Sequence, residues 1–220
     1  GFANGVGMAI AEAHLAAEFN RPGHQIVDHY TYAIVSDGDL MEGVASEAAS
    51  LAGHLKLGKL IYFYDDNKIS IDGSTDLAFT EDRTARFKAY GWNVINVTDP
   101  FDVDEMIKAV EAAKADPRPS LIAVKTTIGH GLPTVAGTAK AHGSPPGWLE
   151  IEQAKAAVGW PKDEKFFVPD EVRDHFLTKI EGGRKDEAAW EEQLAAYREA
   201  FPALAAEFER RVRGELPKNW

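Results

Sequence analysis

The sequence of 220 residues contains no cysteine, which excludes disulfide frameworks, thiolate metal sites and catalysis by a cysteine nucleophile. It also lacks a run of lysines and arginines, and its formal net charge is −11, so we expect no nucleic-acid partner. No apolar run approaches the roughly 20 residues of a membrane span, and residues 1–5 lack a basic leader. We therefore expect no membrane partner and a cytoplasmic location.

Apolar strand-like and amphipathic helix-like segments alternate along the first 125 residues, which predicts an α/β fold with a parallel sheet covered by helices on both faces. Strands are predicted at residues 30–36, 60–65, 93–98 and 121–125, and helices at 2–20, 43–55, 80–90 and 103–115. From residue 161 the chain becomes charged and amphipathic. This part predicts a helical arm over 161–220, with helices at 170–181, 186–199 and 202–213 and a break at Gly182 and Gly183.

Polar residues follow two apolar strands at points that a parallel sheet brings to one edge. Asp37 and Gly38 come directly after the first strand, and Asn67 follows the second. The Asp37 carboxylate, the Asn67 side-chain oxygen and the main-chain carbonyl of Ile69 are ligands of the kind that Mg²⁺ combines with phosphate oxygens. Gly38 lets the backbone approach a phosphate, and a helix beginning near Gly43 would direct N–H groups towards it. The pattern predicts a site that binds a diphosphate through Mg²⁺.

These residues resemble the cofactor motif of thiamine-diphosphate enzymes, and the wider text resembles the transketolase family. The segments that carry the resemblance are Tyr30-Thr31-Tyr32, Leu40-Met41-Glu42-Gly43, Ser50-Leu51-Ala52-Gly53, Leu57-Gly58-Lys59-Leu60, Ile69-Ser70-Ile71-Asp72-Gly73 and Arg86-Phe87-Lys88-Ala89-Tyr90-Gly91-Trp92. The similarity covers essentially the whole chain. It implies thiamine diphosphate as the cofactor, with Mg²⁺ or substituting Ca²⁺, and transfer of a two-carbon ketol unit between sugar phosphates in the pentose phosphate pathway.

The resemblance also implies roles for single residues outside the proposed metal site. His142, in a His-Gly pair, matches a catalytic histidine that reaches both cofactor and substrate. Glu42 matches a catalytic glutamate of a buried carboxylate network near a subunit interface, and Glu47 a second member of it. Ile71 matches a residue that packs against the cofactor. From the residues alone, His142 is equally a loop histidine, the two glutamates are solvated helix residues, and Ile71 is a core residue.

Two positions depart from the family pattern. The family usually has glycine where this chain has Ser36, and many relatives have cysteine where it has Asp39. Neither change removes a predicted ligand. The extra carboxylate at Asp39 places negative charge beside a diphosphate, so we expect it to weaken cofactor binding unless it turns away or caps the next helix.

The resemblance implies that this sequence is the middle part of a transketolase. Residues 1–160 then correspond to a diphosphate-binding domain that is incomplete at its N-terminus, and 161–220 to the helical arm and the start of a linker. The pyrimidine-binding domain, with the glutamate that polarises the cofactor, would come from a homodimer partner or a complementary chain. We therefore expect the isolated chain to bind the cofactor weakly and to be inactive.

Several alternatives remain open from the sequence. Dihydroxyacetone synthase and 1-deoxyxylulose-5-phosphate synthase share the thiamine chemistry. A nucleotide-binding oxidoreductase shares the α/β pattern but needs a G-x-G-x-x-G turn after a strand, which this sequence lacks. A non-catalytic module, with the α/β body as an assembly surface for other chains, is the third possibility.

Overall fold

The computed structural model describes residues 1–218 and 220, and this part of the chain divides into two compact units. The first contains Gly1–Ile10 and Tyr30–Asp163, and the second contains Ala11–His29 and Glu164–Trp220. Residues 11–29 thus group with the C-terminal helices, which the sequence pattern did not indicate. The functional boundary at residue 160 stays a prediction. No helix in the described residues combines the length and apolar character that crossing a membrane requires.

The first unit is built on four parallel strands in the order β1-β2-β4-β3. The strands are β1 (Thr31–Ser36), β2 (Leu60–Asp66), β3 (Asn93–Val97) and β4 (Ser120–Lys125). Its helices are α2 (Asp37–Met41), α3 (Gly43–Leu55), α4 (Arg83–Ala89), α5 (Val103–Ala115) and α6 (Trp148–Ala157), together with the start of α1 (Phe2–Phe19). The predicted α/β fold is confirmed, and the short helix α2 and helix α6 are additions to it.

Successive strand residues point to opposite faces of the sheet, so each strand supplies two cores. On the first face, alternate residues of β2 and β4 such as Tyr62 and Leu121 pack with helices α1 to α4. Trp92 lies in the same core, and its indole N–H donates to the Ala49 carbonyl at 2.8 Å. On the second face a smaller core packs against α5, and its buried members are Ile61, Val97, Ala109, Ala113, Ile122 and Val124. The sheet is therefore covered by helices on both faces.

Part of β1 stays open on the second face. Ile34 is 79% exposed and Tyr32 is 48% exposed, although both are strand residues. They line an apolar cavity of about 940 Å³ together with Phe63 of β2 and Met106 of α5. Helix α5 packs on the other three strands. The second face therefore presents an apolar surface beside the carboxyl ends of the strands.

The second unit contains the rest of α1 and the helical arm, α7 (Asp170–Ala200) and α8 (Pro202–Val212). Its core is formed by Phe19, Ile26, Val27, Leu194, Tyr197, Ala205 and Phe208. The buried Tyr197 hydroxyl donates to the Phe19 carbonyl at 2.7 Å, which satisfies a polar atom within this core. Arg211 of α8 binds both carboxylate oxygens of Glu18 at 2.7 Å. These contacts join the end of α1 to the arm.

The predicted break at Gly182 and Gly183 is wrong, because α7 runs without interruption from Asp170 to Ala200. Neither glycine has a positive φ. Glycine keeps its backbone N–H, so the helical hydrogen bonds continue through the pair, and each residue costs only about 1 kcal/mol relative to alanine. An ion pair between Arg184 and Glu181 spans the site at 2.6 Å. Glycine thus weakens this helix without ending it.

Two helical glycines provide a test of the packing between α3 and α4. A Cβ at Gly53 would overlap the carbonyl oxygen of Tyr90, whereas a Cβ at Gly7 would meet nothing within 4 Å. We expect Gly53→Ala to lower the free energy of unfolding by roughly 1–3 kcal/mol, because backbone must move to admit the methyl group. Gly7→Ala, the matched control, should raise it by about 0.5–1 kcal/mol. Urea denaturation measures both, and equal effects would contradict this packing.

Candidate functional site

The carboxyl ends of β1 and β2 bring the two predicted ligand segments together. Ser36, the last residue of β1, lies opposite Asp65 near the end of β2. The chain segments that follow are therefore neighbours, and the backbone N–H of Lys68 donates to Asp37 Oδ2 at 2.9 Å. Asn67 is the residue immediately before this donor. Asp37 and the 67–69 turn thus lie in direct contact, as the parallel-sheet topology predicts.

Asp37 is a fully buried carboxylate. Its Oδ1 atom accepts a hydrogen bond from the Tyr64 hydroxyl and lies 3.7 Å from the Arg83 guanidinium. Burial raises the pKa of Asp37 above its ordinary value, while the hydrogen bonds from Tyr64 and Lys68 and the charge of Arg83 oppose that rise. Burial and the adjacent carboxylate also raise the pKa of Tyr64, so its hydroxyl remains a donor at neutral pH. The site therefore holds a charge that is costly to bury.

Arg83, at the start of α4, is also buried and has a partner for each guanidinium nitrogen. Its Nε donates to the Tyr64 hydroxyl at 3.1 Å, and one terminal nitrogen lies 3.2 Å from Asp66 Oδ1. The other terminal nitrogen donates to the carbonyls of Phe79 and Glu81 at 3.2 and 3.0 Å. We call the four linked side chains the Asp37 network: Asp37, Tyr64, Asp66 and Arg83. It joins the ends of β1 and β2 to α4.

Asn67 is oriented by its neighbours on both sides. Its amide nitrogen donates to Asp65 Oδ2 at 3.1 Å, and its side-chain oxygen accepts from the Ile69 N–H at 3.0 Å. The other oxygen of Asp65 accepts from the Thr126 hydroxyl, which ties the end of β2 to the segment after β4. Lys68 adopts the left-handed conformation with φ +64°, which turns the chain sharply here. The Asn67 oxygen is thereby held on the same turn as the Ile69 carbonyl.

The two departures from the family pattern contact each other. Asp39 Oδ2 accepts from the Ser36 backbone N–H at 2.8 Å and from the Ser36 hydroxyl at 2.9 Å. This is the return contact of a capping box, in which the third helical residue binds the residue that precedes the helix. The Asp39 carboxylate is therefore directed back onto Ser36 at the start of α2. Of the outcomes expected for this residue, capping of the next helix is the one observed.

Gly38 leaves open space at the first turn of α2. A Cβ built there would have one neighbour within 4 Å, the Ser36 hydroxyl at 3.9 Å, so the protein itself does not require glycine at this position. The backbone is also free of the positive φ that favours glycine. A bare backbone here allows an external group to approach closely.

The segment after β4 lines the same edge of the sheet. Thr126 and His130 face a cavity of about 600 Å³ that Asp66, Lys68 and Lys125 also line, and the His130 ring lies 4.7 Å from that of Phe101. His142 lies farther along this segment, is exposed, and has no side-chain hydrogen bond or ring contact with any described residue. The structure therefore brings His130 to the edge and leaves His142 without contact to the Asp37 network.

The remaining predicted residues are on the surface of this chain. Glu42 directly precedes α3 and makes no capping bond, and Glu47 lies within that helix; both are exposed. Ile71 is 72% exposed, so it does not belong to a core formed by the described residues. The roles assigned to these three residues, and that assigned to His142, stay predictions.

The donor set at this edge fits a hard cation that shares its coordination with a diphosphate. In residues 1–218 and 220, no three histidine, aspartate or glutamate side chains form a metal-holding group. Asp37 and Asn67 nevertheless supply oxygens of two types, and each engaged oxygen retains a further lone pair. Mg²⁺ is commonly held by one or two carboxylates together with phosphate oxygens, so a small protein donor set is appropriate to it.

Sequence reasoning did not single out four residues that shape this site: Tyr64, Asp65, Asp66 and Arg83. The adjacent acids Asp65 and Asp66 at a strand end were a usable signal, since carboxylates at that edge are expected to interact. Tyr64 lies two residues after Tyr62 in β2, so the alternation of a strand places both side chains on the same face of the sheet. No local signal marked Arg83, because its contacts arise only when the start of α4 lies beside the ends of β1 and β2.

The chain is similar to known proteins over its whole length. The family described as transketolase, thiamine diphosphate binding domain, matches residues 1–217. The chain is 56% identical to a transketolase of Geobacillus stearothermophilus over 222 aligned residues, covering 100% of this chain and 33% of the relative. Among solved structures it is similar to transketolase from Leishmania mexicana, with TM-score 0.96 and 51% identity over 100% of this chain and 33% of that one. It is equally similar, with TM-score 0.96 and 47% identity at the same coverage, to a Pichia stipitis transketolase in complex with sedoheptulose-7-phosphate.

The contact between Ser36 and Asp39 predicts a shared contribution to stability. We expect Asp39→Ala to lower the free energy of unfolding by about 0.5–2 kcal/mol, because α2 loses the bond to the residue preceding it. Ser36→Ala should cost less, since the backbone N–H still binds Asp39. The free energy of unfolding of the double variant should be close to that of Asp39→Ala alone, because both substitutions remove the same contact. Chemical denaturation of all three variants measures this, and fully additive losses would contradict the pairing.

Proposed function

The chain belongs to the transketolase family, through its thiamine-diphosphate-binding domain, and from this premise we propose that it binds the diphosphate of the cofactor through Mg²⁺ at Asp37. One observation carries the proposal: a fully buried carboxylate after β1 contacts the turn after β2 that bears Asn67. Burial of the Asp37 charge costs stability, and a cation bound to the carboxylate would compensate that cost.

In this proposal Asp37, the Asn67 side-chain oxygen and the Ile69 carbonyl are the protein ligands of the ion. All three are hard oxygen donors, which also allows Ca²⁺ to substitute for Mg²⁺. Gly38 gives the diphosphate access to the backbone, and its open surroundings support that role. Asp65 holds the amide end of Asn67, which supports presentation of the oxygen end to an ion.

The proposed reaction is transfer of a two-carbon ketol unit from a ketose phosphate to an aldose phosphate, in the cytoplasmic pentose phosphate pathway. Thiamine diphosphate supplies, when bound, the carbon nucleophile for this transfer. The chain's own residues bind and orient: His142 donates a hydrogen bond to the cofactor or substrate, and Ile71 packs against the cofactor. The Pichia stipitis relative, solved with sedoheptulose-7-phosphate, supports a sugar phosphate as substrate.

We further propose that a second polypeptide completes this site, either a homodimer partner or a complementary chain with a pyrimidine-binding domain. The chain spans about a third of the length of the named relatives it matches. Glu42, Ile71 and His142 are exposed here, which supports contact with groups outside the described residues. Glu42 would then act at the subunit interface. On this basis the isolated chain binds cofactor weakly and does not turn over substrate.

The relatives favour transketolase over the other thiamine-diphosphate enzymes weighed above, because those reported all carry that name. A match to a thiamine-diphosphate-binding domain likewise disfavours a nucleotide-binding oxidoreductase. Cofactor binding distinguishes a part of an enzyme from a non-catalytic assembly module.

Cofactor binding tests the proposal directly. Isothermal titration of the chain with thiamine diphosphate should give heat of binding with MgCl₂ and none with EDTA. Asp37→Ala should weaken Mg²⁺-dependent binding by at least about 100-fold, because it removes the charged ligand. Asp104→Ala, an exposed aspartate of α5, is the control and should bind normally. Absence of Mg²⁺-dependent binding even when the polypeptide that completes the site is supplied would contradict the proposal and favour an assembly module.

Gly38→Ala separates cofactor approach from folding. The added methyl group contacts nothing closely in the protein, so the free energy of unfolding should be unchanged or slightly higher. Thiamine diphosphate affinity should fall roughly tenfold or more, which corresponds to about 1.4 kcal/mol, because the methyl group occupies the approach to the backbone. Gly7→Ala serves as the control with unchanged affinity. Normal affinity in Gly38→Ala would place the diphosphate elsewhere.

A further inference from the structure

A fixed positive charge lies beside the carboxylate that is proposed to hold the metal ion. Arg83 is buried, and one of its terminal nitrogens lies 3.7 Å from Asp37 Oδ1 and 3.2 Å from Asp66 Oδ1. Lys68 is the other cation of this cluster, but it is exposed and lies 3.9 Å from Asp66. Among the described residues, Arg83 is thus the cationic side chain that forms an ion pair with Asp37.

Arg83 cannot move away from Asp37 without losing several contacts. Two main-chain carbonyls and the Tyr64 hydroxyl accept from its guanidinium, and the group lies 5.1 Å from the centre of the Phe79 ring. A rigid guanidinium held in this way keeps its charge close to Asp37 whether or not another cation is present.

The same charge has opposite effects on the empty and the occupied site. Without a metal ion, Arg83 compensates the buried carboxylates of Asp37 and Asp66, and removing one partner of a buried ion pair is strongly destabilising. With a divalent cation on Asp37, the guanidinium and the ion are like charges in a poorly solvated place, and they repel. Arg83 therefore stabilises the empty site at the expense of cation affinity.

We propose that Arg83 neutralises the Asp37 carboxylate in the empty site and thereby lowers the affinity of that site for a divalent cation. Arg83 would thus act through Asp37, as a positioning residue. The inference rests on the proposed metal role of Asp37. It adds a regulatory consequence: the chain stays folded when Mg²⁺ is scarce, and loading of the site is graded by the Mg²⁺ concentration.

We expect the carboxylate to keep its orientation when Arg83 is removed. Tyr64 still donates to Oδ1 and the Lys68 N–H still donates to Oδ2, and both donors come from the β2 segment rather than from α4. Loss of the guanidinium therefore removes charge more than it removes geometry. This separation allows an experiment to distinguish electrostatic tuning from a purely structural role.

The test is a thermal-unfolding titration of the chain with MgCl₂ at a fixed concentration of thiamine diphosphate, at neutral pH. Arg83→Met keeps the aliphatic volume and removes the charge. In EDTA its melting temperature should fall by roughly 5–15 °C, as expected for a broken buried ion pair. Its apparent Kd for Mg²⁺ should nevertheless decrease about tenfold, because the repulsion is gone. Arg83→Lys, which keeps the charge, should return the Kd towards that of the unsubstituted chain.

Arg118→Met is the matched control for net charge. Arg118 is exposed and binds Asp116 at 2.7 Å, so its loss changes the total charge equally without touching the Asp37 network. Its Kd for Mg²⁺ should stay within about twofold of the unsubstituted value, since exposed charges are screened by solvent and salt. A comparable decrease in Kd would assign the effect to net charge and overturn the inference.

The possible results separate this inference from the proposed function. If Mg²⁺ does not stabilise the unsubstituted chain, the proposed metal site fails. If Mg²⁺ stabilises it and Asp37→Ala abolishes the effect, but Arg83→Met binds Mg²⁺ equally or more weakly, only the role of Arg83 fails. Arg83→Gln, which is uncharged but retains a hydrogen-bond donor, is the second variant in case Arg83→Met does not fold. Failure of both neutral variants to fold with saturating Mg²⁺ would leave Arg83 a structural residue and overturn the inference.

Discussion

A buried carboxylate at the end of a parallel strand is the constraint on which the rest of this structure depends. Removing an ionised group from water costs several kcal/mol unless partners replace the lost solvation. Asp37 has three such partners, the Tyr64 hydroxyl and the Lys68 N–H from the β2 segment and the Arg83 guanidinium from the start of α4. The positions of β2, the following turn and α4 are therefore linked to one side chain. A fold that only needed stability would place an apolar residue there.

Much of the fold follows from apolar periodicity, and the departures have physical reasons. The predicted bounds of α3 and α5 match the structure, because turn residues precede each helix and regular apolar spacing fills it. Helix α2 was missed because five residues carry too little periodicity to be recognised. Helix α7 was divided because glycine in a sequence resembles a helix end, although only proline also removes the N–H group. The grouping of residues 11–29 with the arm depends on tertiary packing, which no local pattern encodes.

In the candidate site, too, some contacts could be predicted from the sequence and others could not. The proximity of Asp37 to the 67–69 turn could be predicted, since parallel strands place their carboxyl ends at one edge and the two segments follow adjacent strands. The spacing of Ser36 and Asp39 could also be recognised as a cap, because the partners of a capping box lie three positions apart in the sequence. Arg83 was not predictable, because α2, α3 and β2 separate it from its partner Asp37 in the chain. His142 has no described side-chain partner, so its role rests on the resemblance alone.

Asp37, Asp39 and Asp65 at this edge of the sheet bind different partners, and this explains how several negative charges are tolerated close together. Asp39 is bound to Ser36, so its charge stabilises the start of α2. Asp65 is bound to Asn67 and Thr126, so its charge orients an amide. Asp37 alone is both fully buried and balanced by an arginine that an incoming cation would repel. If Asp37 has the proposed metal role, this arrangement lowers the affinity for the cation and keeps the empty site folded. That combination suits a chain whose ion and cofactor are not permanently bound.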